Sequence, residues 1–353
     1  MTVARHTKHG SDTRATGSVV GLILIAALIA ALIAALVIGV GGWMYAHNGL
    51  GASHAKTSPV ASASDSPATA SASSSTASSK HEQRPVHDTL ERKAAPAPDL
   101  TTVAEEKRMS DVSSAVTAAV AGNGGTWSVY VEDLATGKTV SVGGQPMVAA
   151  SDIKLYVMLA VYDKQHAGTL AAGGQDTTSL INQMITVSSN AATNQLVLMV
   201  GDGDMATGMQ RVTGTAARYG FSSSKQLRVL SDAGTDGTGT ENWTSASDCG
   251  RFLAALYRGK LVSAEASRSM LDVLLGQTRR AKIPAGVPSG IQVANKTGEL
   301  AGVENDAAVV WGKAADGTER DYVMVVMTSG VVSGTAQQQI AALSSQVYEA
   351  MTA

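Results

Sequence analysis

Residues 19–40 are almost wholly Leu, Ile, Ala, Val and Gly, and no Asp, Glu, Lys or Arg occurs between Arg14 and Lys56. A bilayer core of ~30 Å takes about 20 apolar residues of helix, so the run is long enough to span one. The apolar region of a cleaved signal peptide is shorter, ~7–15 residues, so the length favours an anchor. Arg5, Lys8 and Arg14 precede the run, and a long uncharged stretch follows it. The positive-inside rule then leaves the N-terminus in the cytoplasm and exports the rest. Trp43 and Tyr45 stand where interfacial aromatics would hold the outer end.

The next stretch is dominated by Ala, Ser, Thr and Pro and continues through Pro85, Pro96 and Pro98. Such a tract cannot bury enough apolar surface to offset its chain entropy. As a flexible coil, residues 47–100 would span about 40 Å r.m.s. and hold a domain off the membrane. The expected organisation is a cytoplasmic tail at 1–18, a transmembrane signal-anchor helix at 19–46, a disordered linker at 47–100 and one folded domain at 101–353. The location is then the cell membrane, single-pass, with the domain extracytoplasmic.

Within that domain, residues 103–121 have helical spacing, with Val103, Met109, Val112, Val116 and Val120 apolar. Residues 127–134 alternate as a strand, 135–138 are turn chemistry, and 139–142 return as the second strand of a hairpin. A helix is predicted from Ser151 to about His166, and helices fill the middle to about Leu275. Three strands follow, near 291–296, 307–312 and 322–328, and a helix closes the chain at about 335–351. Two strands open the domain and three close it. This predicts an α+β fold: an antiparallel five-stranded sheet flanked by helices, with an inserted helical lobe.

Composition removes several functions. The net charge is −2, so nothing electrostatic argues for a nucleic-acid partner. The single cysteine, Cys249, cannot form an internal disulfide, and its setting reads as a buried helical residue. No Cys/His cluster has zinc-ligand spacing, so neither metal nor cofactor is expected. Of seven histidines only His166 lies in the folded part, about four helical turns from Ser151, so a Ser-His-Asp triad on Ser151 is ruled against.

Lysine is the alternative base. Ser151-Asp152-Ile153-Lys154 puts an amine at i+3, on the serine's face of a helix. Burial and a second cation would lower its pKa and free it to take a proton. By itself the spacing is equally that of a helix N-cap and a solvated lysine. Two further segments bear on it. Ser188-Ser189-Asn190 offers a hydroxyl and an amide, though a helix cap reads the same way. Asn295-Lys296-Thr297-Gly298-Glu299 follows a strand and could supply the second cation, though a β-turn would also fit. Gly298 would let a substrate backbone approach closely.

The order Ser-x-x-Lys, Ser-x-Asn, Lys-Thr-Gly resembles the signature of class A β-lactamases and penicillin-binding proteins. The likeness extends to the residues leading into Ser151, to 242–248 and to 282–288, and covers about 101–353. The resemblance implies that Ser151 is the acylated nucleophile and Lys154 its base. Ser188 would pass a proton to the leaving nitrogen, and Asn190 would hold the substrate side chain. Lys296, Thr297 and Gly298 would bind substrate, with the first two on its carboxylate. The backbone N–H groups of Ser151 and Glu299 would form the oxyanion hole.

Three departures stand out. Ser189 replaces the usual Asp, and Glu299 follows Lys-Thr-Gly where small residues are usual. The loop before the later helix also lacks Glu-x-x-Leu-Asn. Glu241 and Asp232 are the candidate deacylation bases, with Asp236 a third acid in the loop. The expected activity is opening of β-lactam amides through an acyl-serine, with slow deacylation, by a monomer. The alternatives are a D-alanyl-D-alanine peptidase-like wall hydrolase and a catalytically silent penicillin- or wall-binding module.

Overall fold

The computed structural model describes residues 103–170, 176–234 and 238–353. The expected tail at 1–18, anchor at 19–46 and linker at 47–100 lie outside the described residues, as does Asp236. Among the described residues no helix is long and apolar enough to cross a membrane.

Helix α1 (Val103–Gly122) buries Met109, Val112 and Val116 on one stripe. Strands β1 (Thr126–Asp133) and β2 (Thr139–Val142) form the expected hairpin. A two-residue strand, β3 (Met147–Val148), leads into a 3₁₀ turn at Ala150–Ile153 and helix α2 (Lys154–His166). Helices α3 (Thr177–Thr186), α4 (Asn190–Val200) and α5 (Met205–Arg218) follow. A loop then reaches β4 (Trp243–Thr244), which pairs with β3. Helices α6 (Ala246–Tyr257) and α7 (Ala264–Leu275) precede β5 (Val293–Leu300), β6 (Val303–Lys313) and β7 (Glu319–Ser329). Helix α8 (Ser333–Thr352) closes the chain.

The five long strands make one antiparallel sheet in the order β2-β1-β7-β6-β5. Both of its faces are covered, which is why β6 and β7 are buried residue after residue instead of alternating. Val129, Val131, Val310, Met324 and Val326 pack with α1 and α8 residues such as Val116 and Ile340. Tyr130, Val309, Val323 and Val325 face the other way, toward Phe252, Leu253 and the helices of the inserted lobe. The α+β architecture and five-stranded sheet expected from the sequence are therefore present.

Two boundaries differ from the expectation. Ser151 does not open an α-helix. Ala150 takes a left-handed φ of 46°, Asp152 N–H bonds Ala149 O at 2.9 Å, and the chain makes a 3₁₀ turn before α2 begins at Lys154. Strand β5 does not stop at Lys296. It runs through Lys-Thr-Gly to Leu300, every residue partnered on β6, and turns at Ala301 and Gly302. Gly302 supplies the φ of +75° that this tight turn requires.

Candidate active site

The nucleophile candidate is held against the sheet edge by its own approach segment. Asn305 of β6 donates through Nδ2 to Val148 O at 3.0 Å and Ala149 O at 3.3 Å. On β5, a Cβ at Gly298 would stand 2.9 Å from Ala149 O and 3.2 Å from Asp152 Oδ1. The close approach that needs glycine here is therefore by the chain itself.

Ser151 Oγ is not a helix cap, since no side chain caps this turn. It accepts from Lys154 Nζ at 3.1 Å. The same amine donates to Ser188 O at 2.6 Å, Ser188 Oγ at 3.0 Å and Asn190 Oδ1 at 2.8 Å. Four acceptors surround a group with at most three hydrogens. Once the amine is neutral, a hydroxyl can turn its own hydrogen onto the nitrogen. Burial, then the charges of Lys296 and Arg279, lower Lys154 to about 6. Lysine ordinarily titrates near 10.4.

Ser188 sits at a φ of 60°, a strained setting for a non-glycine residue. The strain turns its hydroxyl inward between both lysines: Lys296 Nζ also donates to Ser188 Oγ, at 3.0 Å, and to Thr297 O at 2.6 Å. Ser189 performs the capping instead, accepting from Ala192 N–H at 3.1 Å. Serine is as good an N-cap as aspartate, so Ser189 in place of the usual acid keeps the local fold. Lys296 is wholly buried, and that burial lowers it to about 8.

The loop acids separate. Asp232 accepts from Asn190 Nδ2 at 2.7 Å, so it joins the Lys154 network through the amide. Glu241 lines the same cavity but accepts two bonds from Arg228, from Nε at 3.0 Å and Nη2 at 2.8 Å. Asn194 clamps the loop at Leu230, through bonds to its carbonyl at 2.8 Å and its N–H at 3.0 Å. Among the described residues no carboxylate is bonded to Ser151 or Lys154.

Two features at the site were not anticipated, the burial of Asp152 and the side-chain bonds of Glu299. Asp152 is fully buried, and neither carboxyl oxygen has a hydrogen-bond partner. Burial raises it well above the carboxylate range, against the pull of Lys296 and Lys282. An acid between Ala149-Ala150 and Ile153-Leu155 was the only sign of it in the sequence. Glu299 turns its side chain to Arg279 Nη1 at 2.6 Å and Lys282 Nζ at 2.8 Å. Thr297 is buried on β5 beside Lys296.

The cavity at Ser151 is about 50 Å³, lined also by Ala150, Asn190, Leu230, Glu299 and Leu300. A surface groove of about 720 Å³ between α2 and α5 is larger. Its charges pair among themselves, Lys164 and Arg211 with Asp202 and Arg218 with Asp163, and it brings together no group resembling a nucleophile and its base. Cys249 is buried, bonded by Tyr156 at 3.6 Å, with its thiol pushed far up by burial. Among the described residues no cluster could hold a metal ion.

A serine, two buried lysines of lowered pKa and a shared hydroxyl define an arrangement suited to acyl transfer. The model of the Beta-lactamase enzyme family matches residues 111–177 and 174–351. The chain belongs to that family. A comparison with curated protein sequences gives no match. Among solved structures, the β-lactamase of Sphaerobacter thermophilus is similar at 27% identity and a TM-score of 0.58, over 69% of this chain and 97% of that one. PBP-A is similar at 23% identity and a TM-score of 0.58, over 69% and 96%. A reconstructed class A β-lactamase, the last common ancestor of Gram-negative bacteria, is similar at 22% identity and a TM-score of 0.59, over 68% and 99%. The last two likenesses speak to the fold.

Proposed function

We propose that the chain is a Ser-Lys acyl-transfer enzyme that opens β-lactam or wall-peptide amides through an acyl-Ser151 intermediate and releases the acyl group slowly. The observation that carries this is Lys154 Nζ, lowered in pKa and 3.1 Å from Ser151 Oγ. Neutral Lys154 takes the serine proton as Oγ bonds the carbonyl carbon. The developing oxyanion meets the backbone N–H groups of Ser151 and Glu299, a device worth on the order of 3–4 kcal/mol per donor. As the C–N bond breaks, Ser188 gives its proton to the leaving nitrogen and regains one from Lys154. Asn190, Lys296 and Thr297 hold the substrate.

Slow release follows from the loop. General-base catalysis contributes ~10²–10⁴-fold, and hydrolysis of the acyl-enzyme needs a base for water. Leu230 faces the cavity, Glu241 is held by Arg228, and Asp232 hydrogen-bonds to Asn190. The test is mass spectrometry of the full-length chain after a fluorescent penicillin. A persistent adduct on Ser151, absent in Ser151→Ala, is expected. Undiminished labelling of Ser151→Ala overturns the assignment, and no adduct on either protein supports a silent wall-binding module.

The domain is further proposed to stand outside the cell on an anchor at 19–46 and a linker at 47–100. Protease added to intact cells is expected to release the folded part, because polar tethers are preferred sites of nicking. Complete protection of the chain would contradict that orientation.

A further inference from the structure

In the class A pattern that the chain resembles, a small residue follows Lys-Thr-Gly, and the lysine and threonine receive a substrate carboxylate. Here the position carries Glu299. Its Cα partner on β6 is Glu304, so two carboxylates stand directly opposite, an unfavourable pairing. Lys282 resolves it by bridging them, at 2.8 Å to Glu299 and 3.0 Å to Glu304. Arg279 holds the other oxygen of Glu299 at 2.6 Å. Glu304 has further donors in Ser333 and in Gln337 at 3.2 Å, while Glu299 is held by its two cations and lines the Ser151 cavity. Burial works to raise the Glu299 carboxyl, but Lys282 and Lys296 outweigh it and hold the group ionised.

We propose that Glu299 sets the charge preference of the site, so that the enzyme favours acyl donors that are neutral where related substrates carry a carboxylate. The substrate class is an amide or lactam whose neighbouring carboxyl group is amidated or esterified. The inference rests on the Ser151 acyl-transfer reading and deepens it. The wall of the cavity already holds a carboxylate within the field of Lys154 and Lys296. The half-exposed Arg279 guanidinium, which could otherwise greet an anion, is engaged by that carboxylate. The space beside Ser151, about 50 Å³, is far below the ~300–1,000 Å³ of a ligand pocket. An anionic substrate entering beside this wall meets a like charge at close range in a partly buried setting.

The experiment compares acylation of the full-length chain by one penicillin as its free acid and as its carboxyl methyl ester. Both rates are taken on the same preparation, so the folded fraction cancels in their ratio. The ester is expected to acylate Ser151 faster than the acid in the unaltered protein. Glu299→Gln should shift the acid-to-ester ratio toward the acid by about ten-fold or more. Arg279→Gln, which leaves Glu299 less neutralised, should shift it the other way. A ratio unmoved in both variants overturns the charge preference while leaving acyl transfer standing. Failure of both compounds to label Ser151 in the unaltered protein overturns the acyl-transfer reading, and this inference with it.

Discussion

Lys282 and Lys296 lie fourteen positions apart, both buried, and titrate in opposite directions. Lys282 meets Glu299 and Glu304 directly, with Asp306 nearby, and these carboxylates raise it against its burial. Lys296 and its neighbour Lys154 meet hydroxyls, carbonyls and an amide, none of which neutralises a charge, and burial lowers both. Lys296 lies on the edge strand β5, and Lys282 bonds Glu299 of the same strand. Desolvation acts on all of them; the partner decides the outcome. A lysine paired with carboxylates ties strands together, and one set among neutral groups gives up its proton more readily.

The widest break in this comparison is expected from Lys154→Ala. It should lower the rate of Ser151 acylation by ~10²–10⁴-fold in a folded protein, measured by stopped-flow labelling. An unchanged rate would move the base elsewhere, with Ser188 the first suspect. Lys282→Ala should instead act on stability. It leaves Glu299 and Glu304 opposed without their bridge, and breaking a buried pair costs about 3–5 kcal/mol. Thermal unfolding should fall by roughly 2–4 °C per kcal/mol for a domain of this size. A melting temperature within error of the parent would mean the bridge carries no weight.

The smallest effect sharpens the contrast through pH. The Lys154 amine is depressed in the folded protein, so its neutral, basic form is present above about 6 and lost below it. Acylation should rise through that pH, and be about ten-fold slower at pH 5 than at pH 7. Above about 8, Lys296 loses its charge and the hold on an anionic substrate weakens. A flat profile between pH 5 and 7 would show that Lys154 is not the group that must be neutral.

The sequence carried the local parts of the site. Ser151 and Lys154 are three residues apart, within one turn of chain, and Ser188 and Asn190 lie in one short segment whose members both accept from Lys154. The strands around β7 showed as β-branched runs. Harder to see was the second half of β5, because Lys296-Thr297-Gly298-Glu299 looks like a turn until its ladder with β6 is known. Arg228 with Glu241, Lys282 with Glu304 and Asn305 with Ala149 were also hidden, since each joins distant residues through the tertiary fold. The 3₁₀ start of α2 depends on the left-handed Ala150, which no propensity of alanine suggests.

The order β2-β1-β7-β6-β5 has a consequence in time. During synthesis β1 appears early, yet its neighbour in the sheet is β7, which appears almost last. Asn305, which ties down the approach to Ser151, follows Ala149 by 156 residues. Contacts this distant along the chain form slowly, and a lone β1–β2 hairpin has an open edge until they do. An incomplete chain also lacks the buried setting and the second cation that keep Lys154 neutral. On the acyl-transfer reading proposed above, Ser151 therefore remains an ordinary serine until nearly the whole domain has been made, and its activation arrives together with closure of the sheet.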